Sequence, residues 1–412
     1  MAGLLVDWRP IKTNRNFRYV VMGQFVSLLG SNLTMVAIPY QVYRETHSSL
    51  WVGLASLIQL PFLIAGSLIG GAYGYRFEKR RLLVGGGVIC GLVDAALAIN
   101  AAQRGSHLFV LIAFAALLAA STGFTGPIRS AAIPKILGPD DLIAGYSINQ
   151  VSMNTALVVG PTLGGFVLAS FPLSACYLGD AVSFFWTAAM TLFIAPLPPS
   201  NDVIPSKLWQ SIRDGFSYVK DHAIATTVWY ADLNAMVFGM PRALFPAMAL
   251  TVYHGGSRTL GFLYSAIGIG AVITALFTGW IQRVEQRGRA VILSIAVFGA
   301  AMVGLGAVHI LWFGVIMLAI AGGMDVISTV LRNTILQLAI TDEFRGRLSA
   351  IQMAVVTGGP RLGDIESGGV AAFTSTEFSV ISGGLAFIVG IFYLAFRQKA
   401  FWNARSLTSN EG

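Results

Sequence analysis

Charge is what this sequence has least of. Only 11% of its 412 residues are Asp, Glu, Lys or Arg, against roughly 25% in a soluble globular chain. With 55% hydrophobic residues beside so few charges, most of the surface cannot face water. That excludes an ordinary soluble protein and predicts a polytopic membrane protein. Cysteine is nearly absent as well. Cys90 and Cys176 both sit in apolar runs, which reads as small buried side chains rather than a disulfide or metal pair. The five histidines fall near the ends of apolar runs or in loops, and no His-Glu-x-x-His occurs. A membrane-embedded metalloenzyme therefore has no ligand set, and neither a metal nor another cofactor is expected. Nor is there a Gly-x-x-x-x-Gly-Lys-Ser/Thr loop, which excludes an ATP-driven pump unless a partner supplies the ATPase. The first 16 residues carry Arg9, Lys12 and Arg15 without the apolar run and small-residue cleavage site of a signal peptide.

What the chain does have is long apolar runs. Hydropathy predicts an all-α fold of 12 spans, at 17–43, 51–75, 82–102, 108–128, 146–170, 173–195, 224–252, 259–281, 290–308, 311–337, 349–373 and 377–396. Lys and Arg then fall on one side. The residues around the first span, alternate loops and the tail hold 21 of the 27, and the opposite loops hold only Arg44, Arg104 and Arg258. Basic residues collect in cytoplasmic loops, so both termini are placed in the cytoplasm. The net charge of +8 thus reports orientation, and no nucleic acid partner is expected.

A two-fold repeat runs through the chain. Arg76-Phe77-Glu78-Lys79-Arg80 returns as Arg283-Val284-Glu285-Gln286-Arg287, 207 positions later. Each copy links two apolar helices. Asp140-Asp141 after the fourth span has a counterpart in Asp342-Glu343 after the tenth. The domains are therefore a six-helix bundle at 1–195, a linker at 196–223 and a second six-helix bundle with a short tail at 224–412. In the linker, Leu208, Ile212, Phe216 and Val219 share a helical face among Lys207, Arg213, Asp214 and Lys220. That pattern fits an amphipathic helix on the membrane surface, with a soluble linker helix as the alternative.

Two six-helix halves with a basic, Gly-led loop after the second and eighth helices resemble the major facilitator superfamily. The superfamily's loop motif, Gly-x-x-x-Asp-Arg-x-Gly-Arg-Arg, is matched at Gly71, Arg76 and the basic run Lys79-Arg80-Arg81. It departs at Tyr75, where the family has Asp, and at Glu78, where it often has Gly. The resemblance gives this loop a role in gating, with the latching carboxylate moved or lost, and Glu78 is the one acidic residue that could replace it. Gly160-Pro161-Thr162-Leu163-Gly164-Gly165 in the fifth span resembles the Gly-Pro-x-x-Gly-Gly of the family's exporters. Pro161 removes a backbone donor and bends the helix, while Gly160 and Gly164 leave a bare stripe for a neighbour. Pro127-Ile128-Arg129 with Asp141-Leu142, Trp51-Val52-Gly53-Leu54, Gly261-Phe262-Leu263-Tyr264 and Arg345-Gly346-Arg347 are similar to the exporter branch that holds enterobactin exporters and macrolide-efflux proteins. These matches run over nearly the whole chain.

Ionisable groups at bilayer depth cost about 2.5–3.5 kcal/mol each on insertion scales, so each is a functional candidate. The acids are Asp94, Asp180, Asp232, Asp325, Asp364 and Glu366; the bases are Arg242, Arg332 and Arg361. Asp232 leads the proton-coupling candidates, followed by Asp325, Asp94 and Glu366, and Asp180 reads as structural. Arg361 and Asp364 stand three apart, and Asp325 and Arg332 seven apart, each pair on one helical face. Arg242 follows Pro241, where a kink would turn it inward. Polar residues that lipid would penalise, namely Gln24, Asn32, Gln59 and Asn234, join Arg242, Arg361 and Asp364 as candidates for a substrate cavity. The reading is a proton-coupled secondary exporter of the bacterial inner membrane, working as a monomer among lipids by alternating access. Its small amphipathic substrate is a siderophore of the enterobactin type or a set of lipophilic drugs. A non-transporting receptor or scaffold and an importer of the same fold are the alternatives.

Overall fold

A backbone inside a bilayer has no water to bond, so each crossing must satisfy its own N–H and C=O groups, and a helix does this within one segment. The structure, a computed structural model, describes residues 7–103, 107–138, 141–199, 223–276, 284, 286–339, 342–398 and 402. Among them every regular element is helical and none is a strand. The linker helix expected at 206–221, and Arg283 and Glu285 of the second loop copy, lie outside the described residues.

The chain forms two compact units. The first comprises Met1–His47 and Leu57–Ile204, and the second Ser48–Ser56 and Pro205–Gly412. The opening turns of the second membrane helix thus cluster with the second unit.

In the first unit a short α1 (Arg9–Thr13) leads into α2 (Arg15–Thr46), α3 (Ser49–Arg76), α4 (Lys79–Ala102), α5 (Leu108–Ile136), α6 (Leu142–Ser170) and α7 (Leu173–Leu192). Asn14 starts α2 by accepting the Phe17 N–H at 3.0 Å, one of the donors that a helix start leaves unpaired. His47 ends it with a positive φ of 51°. Helix α7 packs on both α2 and α4, and α6 packs on α2. Cys90 is buried with Val93, Leu118 and Phe184, and both cysteines are free.

In the second unit the seventh crossing is not one helix. Helix α8 (Ala223–Asn234) gives way to a π turn at Ala235–Gly239, breaks at Met240–Pro241, and continues through a 3₁₀ turn at Arg242–Leu244 and a second π turn at Met248–Val252. The sequence predicts a kink at Pro241. The break is larger because Met240 is extended, and Pro241 and Pro246 each remove a donor within six residues. Then follow α9 (Gly256–Leu276), α10 (Arg287–Ala307), α11 (Leu311–Ala339), α12 (Asp342–Phe373) and α13 (Thr376–Arg397). Among the described residues nine helices are long and apolar enough to cross a membrane. Helices α6, α7 and α12 stand at the other expected positions.

Packing repeats between the units as the motifs predict. In the first unit a Cβ on Gly66 of α3 would strike the Ala120 carbonyl of α5, and one on Gly123 of α5 would strike the Leu63 carbonyl of α3. In the second, Gly270 of α9 meets the Ala319 carbonyl of α11, and Gly322 of α11 meets the Ile267 carbonyl of α9. Small residues let two backbones touch, which is how membrane helices associate without a hydrophobic driving force. Backbone cannot move aside as a side chain can. Gly66→Ala and Gly270→Ala are therefore each expected to cost about 1–3 kcal/mol in thermal melts of the detergent-purified protein. Gly85→Ala is the control, since its Cβ would meet nothing within 4 Å; there, helix propensity should make the change neutral or stabilising by up to about 1 kcal/mol.

Candidate functional site

The second unit gathers ionisable groups from four elements. Asp232 lies on the last turn of α8, Asp325 and Arg332 on α11, Arg242 at the break of the seventh crossing, and Arg361 and Asp364 on α12. Arg332 Nε stands 3.1 Å from Asp232 Oδ1, and the two side chains are only 5% and 6% exposed. Helical spacing places Arg332 on the face of Asp325, and Asp325 does feel its charge. The ion pair in contact, however, is with Asp232 on another helix. Arg332 also bonds Thr329 Oγ1 at 3.2 Å and the Ala231 carbonyl at 3.4 Å. Asp325 sits in the field of Arg332, Arg242 and Asp232. Two acids and two bases thus balance, which is the condition for holding charges out of water.

Asp364 and Arg361 converge on Ser56, in the opening turns of α3 that cluster with this unit. Ser56 Oγ donates to Asp364 Oδ2 at 2.5 Å and accepts from Arg361 Nη1 at 3.2 Å, and the same guanidinium reaches the Ser56 carbonyl at 3.3 Å. The backbone N–H of Ala243 also acts on the Asp364 carboxylate. It lies just past the break at Pro241, where an interrupted helix leaves donors without an intrahelical acceptor. Close approach makes the contact possible: a Cβ on Gly53 would fall 2.5 Å from the Asp364 carbonyl oxygen.

Arg242 differs from the other two arginines. It is half-buried, and its one side-chain hydrogen bond among the described residues runs from Nε to Met240 Sδ at 3.2 Å. Its charge reaches Asp325, Asp364 and the buried Tyr264. Among the described residues no carboxylate stands within 4.0 Å of its guanidinium.

The remaining candidates fall elsewhere. Glu366 is half-buried on α12. Asn234 donates to the Phe387 carbonyl at 3.0 Å, which ties α8 to α13. With Tyr230 it lines a groove of about 540 Å³ between those helices, within the range of ligand sites. In the first unit Gln24 and Gln59 are buried. Asn32 donates to the Leu28 carbonyl at 2.7 Å and the Ala156 carbonyl at 3.4 Å. It faces the exporter-like stripe: a Cβ on Gly160 would lie 2.5 Å from Asn32 Nδ2, and one on Gly164 would lie 3.0 Å from the Asn32 carbonyl. Pro161 lies inside α6 and Gly165 is buried.

At the basic loop, Glu78 stands at the start of α4 without a side-chain cap bond and pairs with Arg81 Nε at 2.7 Å. Lys79 is buried, and its backbone N–H bonds the Leu197 carbonyl at 3.1 Å. A Cβ on Gly71 would meet open space, Arg76 is exposed and Arg80 half-buried. The Tyr75 side chain lies outside the described residues. The loop's acid is therefore engaged locally, in a pair of the exposed kind that contributes at most about 1 kcal/mol.

Sequence reasoning passed over one cluster. Asp180, read as structural, faces Asp94 across the α4–α7 contact. Polar residues at three- and four-residue spacing on α2, from Gln24 to Gln41, were the available signal.

Comparison with known proteins places this geometry. The sequence profile of a family described as transmembrane secretion effector matches residues 6–411. The enterobactin exporter EntS of Salmonella typhi is 28% identical over 397 residues, 95% of this chain and 94% of its own. That of Citrobacter koseri is 27% identical over 390 residues, 94% and 93% of the two chains. Among solved structures, a peptide transporter aligns with TM-score 0.71 at 13% identity, covering 94% of this chain and 95% of its own. A D-xylose–proton symporter aligns with TM-score 0.69 at 13% identity, covering 92% and 96%. At such identities these structures speak for the fold.

Proposed function

This chain belongs to the transmembrane secretion effector family, within the major facilitator superfamily, and we propose that it exports a small amphipathic anion in exchange for protons. It is a membrane transporter and not an enzyme. The observation that carries the substrate class is Arg242, a half-buried cation at the break of the seventh crossing, with no ion-pair partner among the described residues. Arg332 and Arg361 are engaged, the one with Asp232 and the other with Ser56. A half-buried guanidinium with no carboxylate in contact can take up a negatively charged group. A catecholate siderophore such as enterobactin fits, and the curated relatives export enterobactin. A cationic drug would be repelled by Arg242 and would need a carboxylate released from its arginine.

Proton influx is the driving reaction in this reading, because buried carboxyls in both units offer sites whose charge can change during the cycle. The protein works as a monomer in the inner membrane, with both termini and the basic loops in the cytoplasm as the Lys and Arg distribution favours. The test uses purified protein in liposomes with enterobactin outside or inside and an imposed pH gradient. Enterobactin should move against the proton flux and only when a gradient is present. Movement with the protons would make the chain an importer. Movement of a cationic lipophilic dye with none of enterobactin would overturn the anion assignment, and no movement of either would overturn transport itself.

A further inference from the structure

The first unit buries polar side chains that neither the cluster around Arg242 nor the loop uses. At their centre are Asp94 on α4 and Asp180 on α7, both with no exposed surface. Their carboxyls face each other within reach of a shared proton, with the Thr34 hydroxyl beside both. Asp180 Oδ1 is held by Ser31 Oγ at 3.4 Å and Ser183 Oγ at 3.1 Å. Both oxygens of Asp94 and the second oxygen of Asp180 make no hydrogen bond of standard geometry.

The charged and titratable groups on every helix packed around the pair have been placed. On α4 it is Cys90, one turn from Asp94. On α5 it is Arg129, whose charge reaches Cys90. On α7 it is Tyr177, one turn from Asp180, with Cys176 beside it, and on α2 Arg44 and Glu45 act on Tyr177. Helix α6 carries no charged residue. Among the described residues no cation therefore sits against the two carboxyls, unlike the second unit, where two arginines balance Asp232 and Asp325. Two like charges in contact, buried and without a counterion, repel each other, so the pair favours holding a proton. One proton between them removes the repulsion and supplies the hydrogen bond that the orphaned oxygens lack.

The pair also has a way in and a way out. On one side lies a small cavity of about 20 Å³ bordered by Gln24, Cys90, Thr125, Arg129 and Thr187. That is room for one water, and Gln24 Oε1, buried without a partner, stands ready to receive it. On the other side Tyr177 Oη donates to Gln41 Oε1 at 2.8 Å, and Gln41 Nε2 donates to Glu45 Oε1 at 2.9 Å. Glu45 is at the last turn of α2. Polar groups thus run from Gln24 to Glu45 through an otherwise apolar bundle, with the two acids between.

We propose that Asp94 and Asp180 form a proton-binding site within the first unit, holding one proton between them and exchanging it along the file from Gln24 to Glu45. This proton is the coupling ion of the transport cycle, an inference that rests on the proton-driven reading above. The balance is simple: one carboxylate oxygen gains an O–H bond, the pair goes from two negative charges to one, and the same bond breaks on release. A buried polar seam that serves only to hold helices together would carry no exchangeable proton.

Infrared spectroscopy of the protein in lipid bilayers reads this directly. Wild type should show a protonated-carboxyl stretch that moves on exchange into D₂O. The double variant D94N/D180N should lack it, and D94N and D180N should each shift its titration by at least one pH unit, a tenfold change in proton affinity. Should the asparagine variants fail to fold, D94E keeps both acids and must keep the band with a shifted titration. A band persisting in the double variant, or unchanged in D94E, overturns the site. Proton counting in liposomes loaded with enterobactin separates the two claims. If wild type moves protons with its substrate and D94N/D180N moves them at least tenfold more slowly, the pair is the coupling site. Equal proton movement in both overturns that role with proton-driven export intact. Enterobactin movement without protons in wild type overturns the driving reaction, whatever the infrared spectra show.

Discussion

Arg332→Ala should lower stability by about 3–5 kcal/mol, the usual cost of leaving one partner of a buried ion pair alone. Arg332 Nε lies 3.1 Å from Asp232 Oδ1, with both side chains 6% exposed or less. Alanine would leave the Asp232 carboxylate without the cation beside it and within the field of Asp325. It would also remove the tie to the Ala231 carbonyl, through which α11 grips the end of α8 next to the π turn. In detergent-solubilised protein the unfolding midpoint should fall on the order of 10 °C. Asp232→Asn should cost less, because Arg332 retains Thr329 and the field of Asp325. The double change Asp232→Asn with Arg332→Gln should recover part of the loss, since it leaves no orphaned charge. A double variant no more stable than Arg332→Ala, or a midpoint for Arg332→Ala unchanged from wild type, would contradict the pairing.

How much of this was legible in the residues depends on how local each feature is. The crossings and the repeat are properties of runs and short motifs, and they stand where hydropathy puts them. The exporter-like Gly160 and Gly164 present their stripe to a neighbour as the four-residue spacing implies, but nothing in the spacing names Asn32 as what they meet. Pro241 announces a disturbance; its size depends on the extended Met240. Pairings across helices were the hardest to read. Helical periodicity relates Asp325 to Arg332 because they share a helix, and it is silent on Asp232, which lies 100 positions from Arg332 and proves to be the ion-pair partner. Asp94 and Asp180 fall under the same limit. Each reads as one costly acid in an apolar run, and only the contact of α4 with α7 makes them a pair. The polar stripe on α2 was visible at its three- and four-residue spacing, and its use follows from what α4 and α7 bring to it.

Arg242→Gln should reduce export of enterobactin by about 10- to 100-fold, mainly through KM, with little effect on folding. Glutamine keeps much of the length and a donor but loses the charge, so the loss measures one charge-assisted contact, about 1.5–3 kcal/mol. Folding should survive because Arg242 is half-buried and its one side-chain hydrogen bond among the described residues goes to a thioether. The acids in its field keep other support: Asp364 has Ser56, and Asp325 has the charge of Arg332. Arg242→Lys should recover part of the affinity, as a point charge without the two-pronged donor geometry. The sign of the effect on a cationic lipophilic dye separates a substrate contact from a structural one. Removing a repelling charge should leave dye transport unchanged or raise it, whereas damage to the broken helix would lower transport of both compounds together. Equal losses for anion and cation would make Arg242 a structural residue of the break. An unchanged KM for enterobactin in Arg242→Gln would remove the anion-binding role, and with it the reason for preferring a siderophore to a drug.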